Sequence, residues 1–283
     1  MSFPLRWPLI VSIRPFQAPA FGSRLTRPLA WVVRQLQGTI LLLSVFAFGS
    51  PPALSQTVLV SATPAGWPGD RRSMAPAVSG DGTCVAFVSL ATDLVAGDTN
   101  GHADVFVRRL SAATTARVSV AGDGSQANGE SDYCGPSVSA DCRYVAFASH
   151  ASNLVDGDTN GHADVFVHDL VSGETTRVSR MPDGSQPTRD SSCPSLSADG
   201  RFVAYDTALN PLSSGSRVYL HDRVSGQTQL VATPVDVDTR RPAMSASGNV
   251  VAFMSYTRGS VPGDVYDDRL WLFDRQTGTT REL

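Results

Sequence analysis

Apolar residues in this chain come in short runs, separated at regular intervals by polar turn residues. One set of runs reads AVSGDGTCVAF (Ala77–Phe87), SVSADCRYVAF (Ser137–Phe147), SLSADGRFVAY (Ser195–Tyr205) and AMSASGNVVAF (Ala243–Phe253). A second reads DVFVRRL (Asp104–Leu110), DVFVHDL (Asp164–Leu170), RVYLHDR (Arg217–Arg223) and RLWLFDR (Arg269–Arg275), and a third TTARVSV (Thr114–Val120), TTRVSR (Thr175–Arg180), TQLVAT (Thr228–Thr233) and TTREL (Thr279–Leu283). Each unit therefore offers four short strands. In YVAFAS (Tyr144–Ser149), Val145 and Phe147 point one way while Tyr144, Ala146 and Ala148 point the other. Both faces are apolar, so the strand belongs between two layers. SGDG and SADG join the first two strands with Asp-Gly hairpin chemistry, and SGET and TGTT close the last two. A four-stranded unit that is apolar on both faces cannot bury itself alone. Repeated and stacked radially, it makes a propeller.

Together the lines P-S-x-S-x-D-G-R-x-V-A-F and D-V-F-V-H-D-L-x-[ST]-G-x-T-T-R-V-S resemble the TolB-type (PD40, WD40-like) β-propeller repeat. The resemblance covers about Thr57 to Leu283 and implies an all-β propeller of four-stranded blades. It implies little about role, because propellers host many. TolB itself has an α/β domain before its propeller, whereas here the repeats start almost at once after an export segment, which counts against a Tol–Pal role. The chain predicts about four blades. TVLVSAT (Thr57–Thr63) resembles a fourth strand with no first three before it, as when the first strand of a chain completes the last blade. Yet TTREL already begins the fourth strand of the last unit. The expectation is an open or truncated propeller, against a closed small ring with a spare strand. An open ring exposes sheet faces and calls for a partner or a second copy.

The first 55 residues read as an export signal. Arg24, Arg27 and Arg34 precede the apolar run Ile40–Phe48, and Ala53 and Ser55 hold the small-residue positions of a cleavage site. That run is short of the roughly 20 residues a bilayer span requires, so no stable membrane span is expected. The domains are then residues 1–55 and 56–283, and the location periplasmic or secreted. Four cysteines, Cys84, Cys134, Cys142 and Cys193, suit such a compartment. They allow three pairings. The net charge of −3, with all 23 basic residues arginine, argues against nucleic acid as a partner.

Candidate chemistry lies in the loops. Those joining the second and third strands (90–102, 150–162) are long, as are those between units (64–74, 121–133, 181–192). Both classes leave a propeller on one face, and function concentrates on such loops. That face would carry Trp67, Arg71, Arg72, Glu130, Asp132, Tyr133, Arg189 and Asp190, with Asp70, Asp123, Asn128 and Asp183. The sharpest feature is GDTNGHADVFV, which occurs identically at Gly97–Val107 and Gly157–Val167. Asp98, Asn100 and Asp104, and likewise Asp158, Asn160 and Asp164, could ligate calcium, with carbonyl oxygen and water completing the shell. Equally, Asn-Gly makes the turn and the aspartates cap backbone N–H groups. Both readings stand at this point. The third unit has no such loop (NPLSSGSR), and the fourth keeps only GDVYDD (Gly263–Asp268).

Asp169, Asp222 and Asp274 recur at the end of a strand and fit turn-fixing better than reaction. His168 and His221 precede two of them. No nucleophile elbow, phosphate loop or zinc motif accompanies them. The leading expectation is a non-catalytic exported propeller binding a protein or glycan through its long-loop face, with calcium as a candidate stiffener. The alternatives are a glycan-active enzyme, or the propeller part of a larger hydrolase.

Overall fold

The computed structural model describes residues 10–12, 57–131, 134–208, 216–231, 238–257 and 267–283. The expected export segment lies outside these residues apart from β1 (Ile10–Ser12). Two compact units divide the chain, one of Leu59–Leu283 with Met1–Ile10, the other Val11–Val58. All that follows concerns the first.

After the short β2 (Thr57–Leu59), sixteen strands form four antiparallel four-stranded sheets in chain order. The first blade is β3 (Ser73–Val78), β4 (Cys84–Ser89), β5 (Asp104–Arg109) and β6 (Thr114–Arg117). The second is β7 (Ser137–Val138), β8 (Tyr144–Ser149), β9 (Asp164–Asp169) and β10 (Thr175–Arg177). The third comprises β11 (Ser191–Leu196), β12 (Phe202–Ala208), β13 (Ser216–Asp222) and β14 (Gln227–Leu230), and the fourth β15 (Asp238–Met244), β16 (Val250–Thr257), β17 (Asp267–Asp274) and β18 (Thr279–Glu282). These are the four strands per unit that the apolar pattern predicts. β18 supplies the last blade's fourth strand, so β2 is not part of any of the four blades.

The two-faced strands are sandwiched as expected. Ala86, Val88, Val105 and Val107 of the first blade pack on Val145, Phe147 and Phe166 of the second. Ala146, Ala148, Val165 and Val167 meet Val203, Tyr205 and Tyr219 of the third, and Ala204, Val218 and Leu220 meet Val251, Phe253 and Trp271 of the fourth. Small alanine against large aromatic lets neighbouring sheets interdigitate.

The innermost strands share one irregularity. Ala75, Gly135, Cys193 and Arg241 all have positive φ (51, 83, 52 and 55°), and each precedes a proline: Pro76, Pro136, Pro194 and Pro242. Register breaks at this point in β3, β11 and β15. A proline has no N–H to give the ladder, so a bulge is where it can sit. Glycine is needed in the second blade, because a Cβ on Gly135 would lie 2.7 Å from that of Ala75. Just beyond the bulges, the first turns join blade to blade. Asp81 N–H donates to Ala140 O (2.9 Å), Ala140 N–H to Ala198 O (2.8 Å) and Ala198 N–H to Ala246 O (2.9 Å). Ser137 and Ser195 hydroxyls add to this by accepting from Leu196 N–H and Met244 N–H.

Two disulfides cross between blades: Cys84–Cys142, with Cα atoms 6.1 Å apart, joins the first to the second, and Cys134–Cys193, at 4.8 Å, the second to the third. Of the three pairings left open by sequence this is the one formed. The loops they close have sequence separations of 58 and 59, for which chain entropy alone corresponds to about 4 kcal/mol each. Peptide mapping under non-reducing conditions is expected to return these two pairs, and reduction to lower the melting temperature by several degrees. Any other pairing, or a melt indifferent to reductant, contradicts this arrangement.

Candidate functional site

The two identical loops fold identically because each is caught by the connector that follows it. Asp104 opens β5 fully buried. Its Oδ1 accepts from Ser119 Oγ (2.5 Å), and that hydroxyl accepts from Val105 N–H (3.1 Å). Its Oδ2 accepts from Asn100 Nδ2 (2.9 Å), while Asn100 Oδ1 caps His102 N–H (3.1 Å). Gly97 and Gly101, at φ 75 and 73°, make the turns on either side. In the second copy Asp164 accepts from Ser179 Oγ (2.5 Å) and Asn160 Nδ2 (2.8 Å), and Asn160 Oδ1 caps His162 N–H (3.0 Å).

The cation beside these carboxylates is an arginine. Arg117 Nη1 lies 3.4 Å from both Asp98 Oδ1 and Asp104 Oδ2 and donates to Gln126 Oε1 at 2.6 Å. Arg177 Nη1 lies 3.1 Å from Asp158 Oδ1, 3.6 Å from Asp164 Oδ2 and 2.9 Å from Gln186 Oε1. The Arg177, Asp158 and Asp164 side chains are only 5%, 3% and 0% exposed. Burial pushes the Asp98, Asp104 and Asp158 carboxyls up, against the pull of the guanidinium. Gln126 and Gln186 complete the clasp: their Oε1 accepts from Thr99 N–H and Thr159 N–H, and their Nε2 donates to Gly97 O and Gly157 O at 2.7 and 2.8 Å. The six residues expected as metal ligands are thus brought together, three in each loop, around a guanidinium. Each guanidinium stands beside the carboxylates of its own loop. Among the described residues no cluster of three or more His, Cys, Asp or Glu is placed to hold a metal.

Residues of the expected binding face fare differently from one another. Glu130 lies against the first loop: Oε2 accepts from Ala103 N–H (2.6 Å), and Oε1 is 3.2 Å from His102 Nδ1. Asp190 repeats this with Ala163 N–H (2.9 Å) and His162 Nδ1 (3.3 Å). Arg189 donates to the carbonyl of its neighbour Thr188. Trp67 is 72% exposed, and Asp70, Arg71 and Arg72 are exposed around it. Asp132 and Tyr133 lie outside the described residues. Arg117, Arg177, Gln126 and Gln186 escaped the sequence reading. Their signal was the shared position of arginine in TTARVS and TTRVS and of glutamine in GDGSQ and PDGSQ. The third blade shows what replaces the network: Arg217 stands where Asp104 and Asp164 do, and Val218 N–H donates instead to Thr239 Oγ1 (3.0 Å).

The recurrent aspartates fix turns, as expected. Asp169 Oδ1 accepts from Val171 N–H, Asp222 Oδ1 from Val224 N–H and Asp274 Oδ1 from Gln276 N–H. Arg143 donates to Asp169 at 2.8 Å and holds its carboxyl down to about 2. The adjacent histidines are not bases poised near neutral pH. Burial lowers both, His221 to about 4, and each Nδ1 sits 2.9 Å from the threonine opposite, Thr175 or Thr228.

No family model matches the chain, and no curated protein does. Solved structures do match. An oligogalacturonate lyase in complex with manganese aligns with TM-score 0.52 and 16% identity over 77% of this chain and 54% of that one. TolB from Acinetobacter baumannii aligns at TM-score 0.48 and 19% identity, covering 81% and 46%. The β-propeller domain of the Trilobed protease from Pyrococcus furiosus, described as having an open velcro topology, aligns at 0.49 and 12%, covering 75% and 57%. The chain spans about half the length of each. The fold is therefore an all-β propeller with TolB among its structural neighbours. Those neighbours include enzymes as well as TolB, so the fold does not choose between catalysis and binding.

Removing one partner of a buried ion pair leaves an uncompensated charge, at a cost of about 3–5 kcal/mol. Arg177→Met is expected to lower unfolding free energy by that amount in urea titrations. Adding Asp158→Asn and Asp164→Asn should recover most of it. An Arg177→Met variant as stable as the parent contradicts the role given to the guanidinium.

Proposed function

We propose that the protein is an exported, non-catalytic binding propeller that presents its long-loop face to a protein or glycan. One observation carries the reading. The polar side chains of the duplicated loops are engaged in holding those loops, while a large aromatic, Trp67, stands exposed, as do Arg71 and Arg72 four and five residues on. Amphipathic aromatics and arginines are what binding surfaces use for contact energy. No nucleophile paired with a base lies among them. The turn that presents Trp67 is tight: Thr63 N–H donates to Trp67 O (2.8 Å) and Gly66 N–H to Thr63 O (2.9 Å), so the backbone that carries the indole is fixed before binding.

Two disulfides support an oxidising compartment, and among the described residues no helix is long and apolar enough to cross a membrane. Arginine, rather than calcium, is the cation that stiffens the loops in this reading, because each guanidinium already meets two carboxylates and a glutamine.

The test is a glycan and protein array probed with residues 56–283 and with a Trp67→Ala/Arg71→Ala/Arg72→Ala variant. The expected result is a ligand retained by the parent and lost, at least about tenfold, in the variant, as loss of a buried aromatic anchor implies. Turnover of polysaccharide or peptide substrates, or binding indifferent to the triple substitution, would overturn the proposal.

A further inference from the structure

One pair of residues in the third blade departs from the repeat. Gln227 and Gln229 sit on β14 opposite Asp222 and Leu220. The same two places hold Thr114 and Ala116 in the first blade, Glu174 and Thr176 in the second, and Thr279 and Arg281 in the fourth. The blade architecture therefore does not require a glutamine at either. Residues two apart on a strand share a face, and this face is the one on which Phe202, Ala204 and Leu220 meet the fourth blade. Among the described residues neither carboxamide has a hydrogen-bond partner.

Both glutamines line a recess of about 240 Å³ between the third and fourth blades, at the end opposite the long loops. All of its lining residues, and the tight turns that carry them, are among those described. The floor is apolar, made by Phe202 and Leu220, both buried. Arg275 forms the far wall and is fixed in place. Its Cζ lies 4.1 Å from the centre of the Phe202 ring, its Nε donates to Gly248 O (3.0 Å) and its Nη2 to Asn249 Oδ1 (2.7 Å). That leaves Nη1 without a partner among the described residues. Gly248 permits this approach, because a Cβ there would run into the Phe202 ring. On the near side Asp222 is already matched. It accepts from Arg201 Nε and Nη2 (both 2.8 Å), Val224 N–H (3.0 Å) and Ser225 Oγ (3.1 Å).

The recess thus offers two carboxamides, each with an acceptor oxygen and a donor nitrogen, one fixed guanidinium N–H and an apolar floor. An anion would face the carboxamide oxygens as well as the donors. An apolar ligand would strand both amides. A sugar ring suits the whole set, since each hydroxyl donates and accepts and its C–H face is apolar. The volume is below the roughly 300–1,000 Å³ of drug-sized sites, which limits the occupant to about one ring. We propose that this recess binds a single neutral pyranose unit of a glycan. Gln227 and Gln229 take neighbouring hydroxyls, Arg275 Nη1 donates to a third oxygen, and the C–H face lies towards Leu220. The site is at the other end of the blades from the long-loop face and does not rest on that reading.

The probes are the methyl α-D-pyranosides of glucose, galactose and mannose, each titrated into the disulfide-intact protein and followed by NMR of the side-chain amides. The Gln227 and Gln229 signals, identified by their loss on substitution, are expected to move saturably with at least one glycoside. Loss of two hydrogen-bonding side chains implies affinity weakened about tenfold or more in Gln227→Ala/Gln229→Ala, measured from the sugar's saturation-transfer signal. Both positions are exposed on an outer strand, and an unchanged melting temperature establishes that the variant is folded. Trp67→Ala is expected to leave the titration as it was. No saturable movement with any of the three sugars, or equal binding in the double variant, overturns the proposal. Sugar binding lost in Trp67→Ala but kept in the double variant also overturns it and assigns the sugar to the long-loop face. An array ligand that depends on Trp67 supports the long-loop reading whichever way this titration falls.

Discussion

A carboxylate withdrawn from water must find a cation or a set of donors, and Asp104 and Asp164 are withdrawn completely. The long-loop face is organised around meeting that demand. Each aspartate opens the third strand of its blade, so whatever neutralises it also fixes where the preceding loop lands. Serine on the following connector supplies one donor, asparagine within the loop another, and arginine from the fourth strand the positive charge. A glutamine further along then binds both that arginine and the loop backbone. The loop, the fourth strand and the connector after it, all between Gly97 and Gln126 in the first copy, close on one buried charge. This explains why the whole segment GDTNGHADVFV is held as a unit in both copies, and why the third blade, with Arg217 at the aspartate's position, has a different loop.

Much of the architecture was legible from the apolar pattern. Period-two runs with both faces apolar require a sheet on each side, and four such units can satisfy that only by stacking. The turns were legible too, because Asp-Gly chemistry is local. What was not legible is what depends on register between strands distant along the chain. Arg117 and Arg177 sit on fourth strands, and only the antiparallel pairing with the third strands brings them to the aspartates: Arg117 opposite Phe106, Arg177 opposite Phe166. The same holds for Glu130 and Asp190. They read as free surface charges in the sequence, yet each carboxylate accepts a backbone amide of the preceding blade's loop. Disulfide pairing likewise needs Cα distances that spacing alone does not contain. TTREL was expected to begin the last blade's fourth strand and to leave Thr57–Thr63 as a spare, and β18 fills that place.

The blades are equivalent in backbone and divergent in filling. A residue of positive φ before proline recurs in all four blades, once as glycine and three times not, with a break in register at three of them, and the first turns repeat one backbone hydrogen bond from blade to blade. Against that constant frame the first two blades carry loops clasped through a buried aspartate, and the third has Arg217 at the aspartate's position.

The central claim of the proposed reading is that an internal arginine, rather than a bound metal, neutralises the duplicated loops. The direct test is thermal unfolding of residues 56–283 in EDTA and then in excess calcium. A ligand that binds only the folded state raises the midpoint, so the account predicts coincident melts. A midpoint that climbs with calcium, and no longer does so in Asp98→Ala and Asp158→Ala variants, would contradict it.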